Sequence, residues 1–227
     1  MSSRALVVIP AYNEASTLGE VASRAAGYAD VCVVDDASTD ETRKIAERLE
    51  RVYCIHHERN THIAGGILDG FRHASEAAYD YCITMDAGLS HDPDAIPLFL
   101  QHPEADLVLG YRSQRENVPL YRRALSASAS VAMNMALGRH LLPWRGPGLR
   151  DCTSGYRMYS RRAFELLLAA DLRSRAFDFH IEALAHIFRA GQRVVEVPIT
   201  YRFTNSSLRP QIVAEALRTW AGLWIRP

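Results

Sequence analysis

The chain has little that would mark a nucleic-acid binder, a disulfide-built domain or a membrane span. Basic and acidic residues balance at 26 each, whereas nucleic-acid-binding domains usually carry a basic excess. Lys44 is the only lysine. Arginine suits bidentate pairing with phosphate and carboxylate, although a base-composition bias gives the same usage. Cys32, Cys54, Cys82 and Cys152 lie far apart with no zinc spacing, and three of them sit inside apolar strand-like runs. They read as small buried hydrophobes in a reducing compartment. No run of about 18 apolar residues occurs, so no transmembrane helix is expected. Met1-Ser2-Ser3-Arg4 leads straight toward a strand with no signal-peptide pattern. The expected location is therefore cytoplasmic, with peripheral attachment at the inner face of the membrane as the variant left open.

What is present is a regular alternation of strand and helix over 227 residues, enough to bury a sizeable core. Ala5–Ile9, Val31–Val34, Val52–His56 and Tyr81–Met85 are apolar runs of strand length, the first stopped by Pro10. Between them, helices are expected from Ser16 or Thr17 to Tyr28, from a capping box at Ser38-Thr39-Asp40-Glu41 to Glu50, and over Ala64–Tyr79. Asp92-Pro93 reads as a cap and first-turn proline. After a strand at Ala105–Leu109 the rhythm changes. Ser113–Leu120 reads as polar loop, Tyr121–Leu142 as a long helix, and Pro143–Arg150 as a mobile loop. Asp151–Tyr159 is expected to return to the sheet. Helices follow at Arg161–Ala170 and Phe179–Ala190, then a strand at Val194–Val197 closed by Pro198. Leu208–Ile225 has apolar residues at helical spacing. The pattern predicts an α/β fold with a mainly parallel central sheet flanked by helices.

Open α/β sheets bind ligands beyond the carboxyl ends of their strands, and acids fall at such ends here. Glu14 follows the first strand, Asp35-Asp36 the second, and Asp86 the fourth, with Gly88 permitting close backbone approach. An acid such as Asp86 suits a divalent cation carried by phosphate; taken alone, it serves equally as a turn residue.

Three segments together carry a resemblance: Val7-Val8-Ile9-Pro10-Ala11-Tyr12-Asn13-Glu14, Val33-Val34-Asp35-Asp36-Ala37-Ser38-Thr39-Asp40 and Asp151-Cys152-Thr153-Ser154-Gly155-Tyr156-Arg157. With Glu196-Val197-Pro198-Ile199, the chain from about Leu6 to Tyr201 resembles family 2 glycosyltransferases of the GT-A fold, most of all the dolichol-phosphate mannosyltransferase (polyprenyl-phosphate glycosyltransferase) group. The resemblance implies a single domain over 1–227. It has a Rossmann-like half to about 112 for a nucleoside diphosphate sugar, an acceptor half over about 113–207, and an amphipathic helix over about 208–225.

The resemblance also implies roles. Pro10, Tyr12 and Glu14 would line the nucleoside pocket, and Asp36 would bond the base. Asp86 would be the first acid of an Asp-x-Asp pair holding Mg²⁺ or Mn²⁺ on the donor diphosphate. The second acid is replaced by Gly88, and the polar residue two places on is Ser90. Either His91 completes the cation's ligands, or donor phosphates and water do so with Asp86 and His91 is a turn residue. Arg112, Arg122, Ser126 and Asp151 would serve the acceptor side, together with Thr153, Ser154 and Arg157. Arg202 or Arg209 stands for the clamp on the diphosphate, although the family's Ser-Lys pair is missing.

The implied reaction transfers a mannose- or glucose-type sugar to a polyprenyl phosphate with inversion. That acceptor needs no strong base, because the second ionisation of a phosphate monoester lies near pH 6. A soluble hydroxyl acceptor would need one, for which Asp151 or Glu182 is available. A noncatalytic nucleotide-sugar binder is the remaining alternative.

Overall fold

The structure is a computed structural model that describes residues 3–142, 145–203 and 210–225, with side chains of the last segment described over 214–224. Among the described residues, seven strands form one sheet: β1 (Ala5–Ala11), β2 (Asp30–Asp35), β3 (Val52–His56), β4 (Tyr81–Thr84), β5 (Leu107–Glu116), β6 (Arg157–Ser160) and β7 (Val194–Arg202). Their order is β3-β2-β1-β4-β6-β5-β7. Only β6 runs antiparallel to its neighbours, β4 and β5; the other pairings are parallel. The expected α/β fold with a mainly parallel sheet is thus present. The chain builds outward from β1 to β3 and then crosses to β4 on the other side. That reversal opens a crevice beyond the carboxyl ends of β1 and β4.

The helices are α1 (Leu18–Ala25), α2 (Thr42–Arg48), α3 (His62–Glu76), α4 (Ile96–Leu100), α5 (Leu120–Gly138), α6 (Arg161–Ala169), α7 (Phe179–Arg189) and α8 (Pro210–Ile225). Side chains alternate across the sheet as the strand period requires. Leu6, Val8, Cys32 and Val34 enter a core with α3, α6 and α7, while Val7, Ile9, Val31 and Val33 enter one with α1 and α4. Both faces are covered, so these strands read as continuous apolar runs. Cys32, Cys82 and Cys152 are buried in this interior, where burial pushes the Cys32 thiol up to about 12.

Several local expectations are corrected. Ser113–Leu120 is not all loop, since β5 continues to Glu116 as a ribbon with β7, past a register shift between Arg112 and Gln114. The ribbon extends beyond the body of the sheet, so polar residues suit it. Pro198 lies inside β7 because β7 is the sheet edge, where proline's missing N–H costs no ladder bond. Pro10 lies inside β1 for a related reason: the ladder with β4 ends at Val8 paired with Thr84.

Of Asp151–Tyr159, only Arg157–Tyr159 lies in a strand, which runs on to Ser160. The long helix α5 stops at Gly138, where Arg139 turns left-handed (φ 50°). The stretch expected to be mobile is pinned in its described part. Asn134 exchanges two 2.8 Å hydrogen bonds with the Leu149 backbone, and Glu196 accepts the Arg150 N–H. The capping box at Ser38–Glu41 does not form either; Asp40 instead accepts the Thr42 N–H at 2.9 Å.

Candidate active site

The loops after β1 and β2 are tied together by side chain to backbone hydrogen bonds. Ser38 Oγ accepts the Asn13 N–H at 2.9 Å, Asn13 Oδ1 accepts the Thr39 N–H at 2.8 Å, and Thr42 Oγ1 accepts the Glu14 N–H at 2.8 Å. Asn13 (φ 56°) and Ala37 (φ 63°) are both left-handed. Ala37 has no polar side chain to favour that conformation, so these neighbouring bonds must hold it. Tyr12 stands exposed in the loop after β1. Thr17 sits at the start of α1, and its hydroxyl bonds the Glu14 carboxylate at 3.0 Å instead of capping the helix.

Asp36, at the end of β2, is almost buried, and its Oδ1 accepts three donors. They are the Thr61 N–H at 2.7 Å, His57 Nδ1 at 2.8 Å and Thr61 Oγ1 at 2.9 Å. The opposite nitrogen of His57, Nε2, lies 2.9 Å from Asp69 Oδ2. That contact is an ion-pair distance without hydrogen-bond alignment. Asp35 is also buried and takes His56 Nδ1 at 2.7 Å. Sequence reasoning missed His57, Thr61 and Asp69. The available signal was that His56-His57 ends β3 at the same sheet edge as the acids ending β1, β2 and β4.

Asp86 follows β4 with its side chain 36% exposed. His91 folds back beneath it, buried between the rings of Tyr156 (5.0 Å) and Tyr201 (5.9 Å). Its Nδ1 accepts the Asp86 N–H at 3.2 Å, and burial holds the imidazole below its ordinary range. A nitrogen filled by a backbone donor cannot also ligate a cation. The turn role is therefore the one the geometry supports, and His91 is corrected as a metal ligand through Nδ1. Gly88 has room for a side chain, since an added Cβ would meet only Glu14 Oε2, at 3.9 Å. No group of three or more His, Cys, Asp or Glu is set to hold a metal among the described residues. One exposed carboxylate nonetheless fits Mg²⁺ or Mn²⁺, which keep waters and share their shell with substrate phosphates.

Arg112, in β5, is brought together with Asp151 and Ser126. Its Nε lies 2.6 Å and its Nη2 2.8 Å from the two Asp151 oxygens, and Nη2 also donates to Ser126 Oγ at 2.7 Å and to Thr153 Oγ1. Tyr201 covers the guanidinium at 5.3 Å. Burial pushes the Asp151 carboxyl up, but the Arg112 bonds and charge and the Thr153 donors outweigh it and leave it below the usual range. Asp151 is thus a fixed anion, poorly suited to take a proton. Glu182, the other base considered, is buried and accepts the Arg173 and Ser174 N–H groups at 3.0 and 2.9 Å. Glu196 accepts the Asp151 N–H at 3.1 Å, which explains the Glu-Val-Pro-Ile segment as a support for this loop.

Arg122 lies one turn before Ser126, half-buried like it, with its guanidinium 5.5 Å from the Phe203 ring. Arg157 faces no ligand space. It is fully buried and braces the carbonyls of Cys152, Ser154 and His180 at 2.7–2.8 Å. Arg202 is close to the Asp86 turn through its backbone, whose N–H donates to Ser90 O at 3.2 Å, but its side chain pairs with Glu116 at 2.9 Å. Arg209 lies outside the described residues.

Comparison with known proteins bears on the family and the fold. Residues 6–168 match the family described as Glycosyl transferase family 2. The chain is 32% identical to an undecaprenyl-phosphate mannosyltransferase of Micrococcus luteus, over 94% of this chain and 91% of that protein. It is 31% identical to a polyprenol monophosphomannose synthase of Mycolicibacterium smegmatis, over 88% and 78%. Among solved structures, glucosyl-3-phosphoglycerate synthase of Mycobacterium tuberculosis, in complex with Mn²⁺, UDP-glucose and phosphoglyceric acid, superposes with a TM-score of 0.74. The identity is 18%, covering 100% of this chain and 81% of that one. The fold is therefore GT-A-like, and the chain belongs to glycosyltransferase family 2.

Proposed function

We propose that this glycosyltransferase moves a mannose- or glucose-type sugar from a nucleoside diphosphate sugar to a polyprenyl phosphate with inversion. The observation that carries the reading is the outer side of α5. Arg122 and Ser126 share one face of the helix, with Ser126 bonded to Arg112, while Leu120, Tyr121, Leu125 and Val131 stand exposed beside them. A cationic, hydroxyl-bearing spot next to an apolar track suits an anionic headgroup on an isoprenoid chain. The relatives named for transfer to undecaprenyl phosphate and polyprenol support the same acceptor class.

On this reading residues 1–112 bind the donor and 113–207 the acceptor. One acceptor phosphate oxygen attacks the anomeric carbon opposite the leaving group. The bond from that carbon to the diphosphate breaks, and its electron pair stays on the diphosphate. The phosphate arrives ionised, so the engagement of Asp151 and Glu182 costs the reaction nothing; a hydroxyl acceptor would find both of these carboxylates occupied. Asp86 would hold Mg²⁺ or Mn²⁺, which when bound supplies charge stabilisation to the departing diphosphate.

On this reading the α5 stripe faces the membrane, and Trp220 and Trp224 of the tail helix do not. Trp220 donates to Ala132 O at 2.9 Å, and both rings pack on the core. No described helix is long and apolar enough to cross a membrane.

Arg122→Ala tests the reading. Losing charge-assisted bonds worth about 1.5–3 kcal/mol should slow transfer to a short polyprenyl phosphate by about 10- to 100-fold and leave nucleotide affinity unchanged. Normal transfer by that variant would remove the phosphate from α5.

A further inference from the structure

We infer that the base pocket selects a uracil nucleotide over a guanine nucleotide, because only one oxygen of Asp36 is left to meet the base. The inference rests on the proposed function, with the donor base at Asp36 as the family resemblance implies. A carboxylate offers about four lone-pair positions across two oxygens. Three donors converge on Oδ1 within 2.7–2.9 Å, so that oxygen is filled. Among the described residues no donor reaches Oδ2, and the side chain keeps 6% exposure. Asp36 therefore presents a single acceptor oxygen to the pocket.

The two bases make different demands on such an acceptor. The imide edge of uracil carries one N–H, which a single oxygen satisfies. Guanine presents two parallel donors, the ring N1–H and the exocyclic amine, which pair best with both oxygens of a carboxylate. At Asp36 one of those donors would be shut in against a filled oxygen. A site that leaves a buried donor unpaired discriminates against the group that carries it.

The filling of Oδ1 is built into the fold. Thr61 is the N-cap of α3, so its N–H is one of the unpaired amides of a helix N-terminus. Its hydroxyl adds a second donor from the same residue. His57 adds the third, and its far nitrogen is held beside Asp69, about two turns further along α3. The carboxylate is thus fixed from the α3 side and cannot rotate to offer both oxygens without releasing all three donors. His57 and Thr61 are positioning residues that act through Asp36.

The test is calorimetric titration of the full chain with UDP and with GDP, each with Mn²⁺, on the wild type and on Thr61→Val, His57→Phe and Asp36→Asn. The wild type should bind UDP tighter by on the order of tenfold, the effect of one unpaired donor. Thr61→Val and His57→Phe combined leave only the helix amide on Oδ1, so the double variant should narrow that preference by improving GDP relative to UDP, with either single variant changing it less. A general loosening of the fold would instead weaken both nucleotides alike. Asp36→Asn should weaken UDP. GDP binding equal to or tighter than UDP, with Asp36→Asn still weakening both, would overturn the base preference alone. Binding of neither nucleotide, or indifference of both to Asp36→Asn, would overturn the placement of the base as well.

Discussion

The backbone N–H of Asp86 donates to Nδ1 of His91 at 3.2 Å, so the imidazole braces the turn from beneath. His91→Phe keeps the stacking volume between Tyr156 and Tyr201 and strands the Asp86 amide. It should lower stability by about 1–3 kcal/mol, the cost of an unsatisfied buried donor, and retain Mn²⁺-dependent nucleotide binding. Asp86→Asn should show the reverse pattern. Urea unfolding paired with Mn²⁺ titration followed by electron paramagnetic resonance separates the two residues. Loss of Mn²⁺ binding in a folded His91→Phe would return the imidazole to the ligand set.

Gly88→Asp should place a second carboxylate beside Asp86 and create a tighter cation site. The backbone there needs no positive φ, and the added Cβ meets only Glu14 Oε2, at 3.9 Å. The introduced carboxylate, Asp86 and Glu14 would then repel one another until a cation arrives. The variant should bind Mn²⁺ more tightly and melt lower without it, the melting point rising with metal as linkage requires. A melting curve unmoved by Mn²⁺ would show that the site holds no cation without the donor.

The Arg112–Asp151 pair should behave as structure and not as a base. Removing one partner of a buried pair costs about 3–5 kcal/mol, so Asp151→Ala should be strongly destabilised in urea. Asp151→Asn keeps much of the bonding to Arg112 and should retain measurable transfer to a polyprenyl phosphate. A stable Asp151→Asn enzyme with no transfer at all would identify Asp151 as chemically engaged.

His180 should make the protein acid-sensitive. It is buried, neither ring nitrogen has a partner among the described residues, and burial, followed by Arg157 and His91, holds its imidazole well below the ordinary range. In the unfolded chain it titrates near 6.5. Below that pH the unfolded state binds a proton that the native state refuses, so stability falls with falling pH, by up to about 1.4 kcal/mol per unit from this residue. Unfolding free energies at pH 7.5 and 5.5 should differ less in His180→Phe than in the wild type. An unchanged difference would place the acid sensitivity elsewhere.

Local patterns in the chain determined the strands, the parallel α/β class and the sheet edge where the acids gather. Strand runs and strand-end carboxylates are set by neighbours in sequence, and the segments around Pro10–Glu14, Asp36 and Asp151–Arg157 were legible enough to indicate the family. The tertiary structure decided what each charged group is free to do. Asp36 and Asp151 look alike as strand-end or loop acids, yet among the described residues the donors to one gather on a single oxygen and the other is closed on Arg112. His91 and Arg157 look like functional polar residues until their partners prove to be backbone groups. The partners lie far along the chain: Thr61 is 25 residues from Asp36, and Asp151 is 39 from Arg112. Hydrogen-bond capacity is finite, and which donors use it up is fixed by the packing of β3, β5, α3 and the loop before β6, which no local pattern encodes.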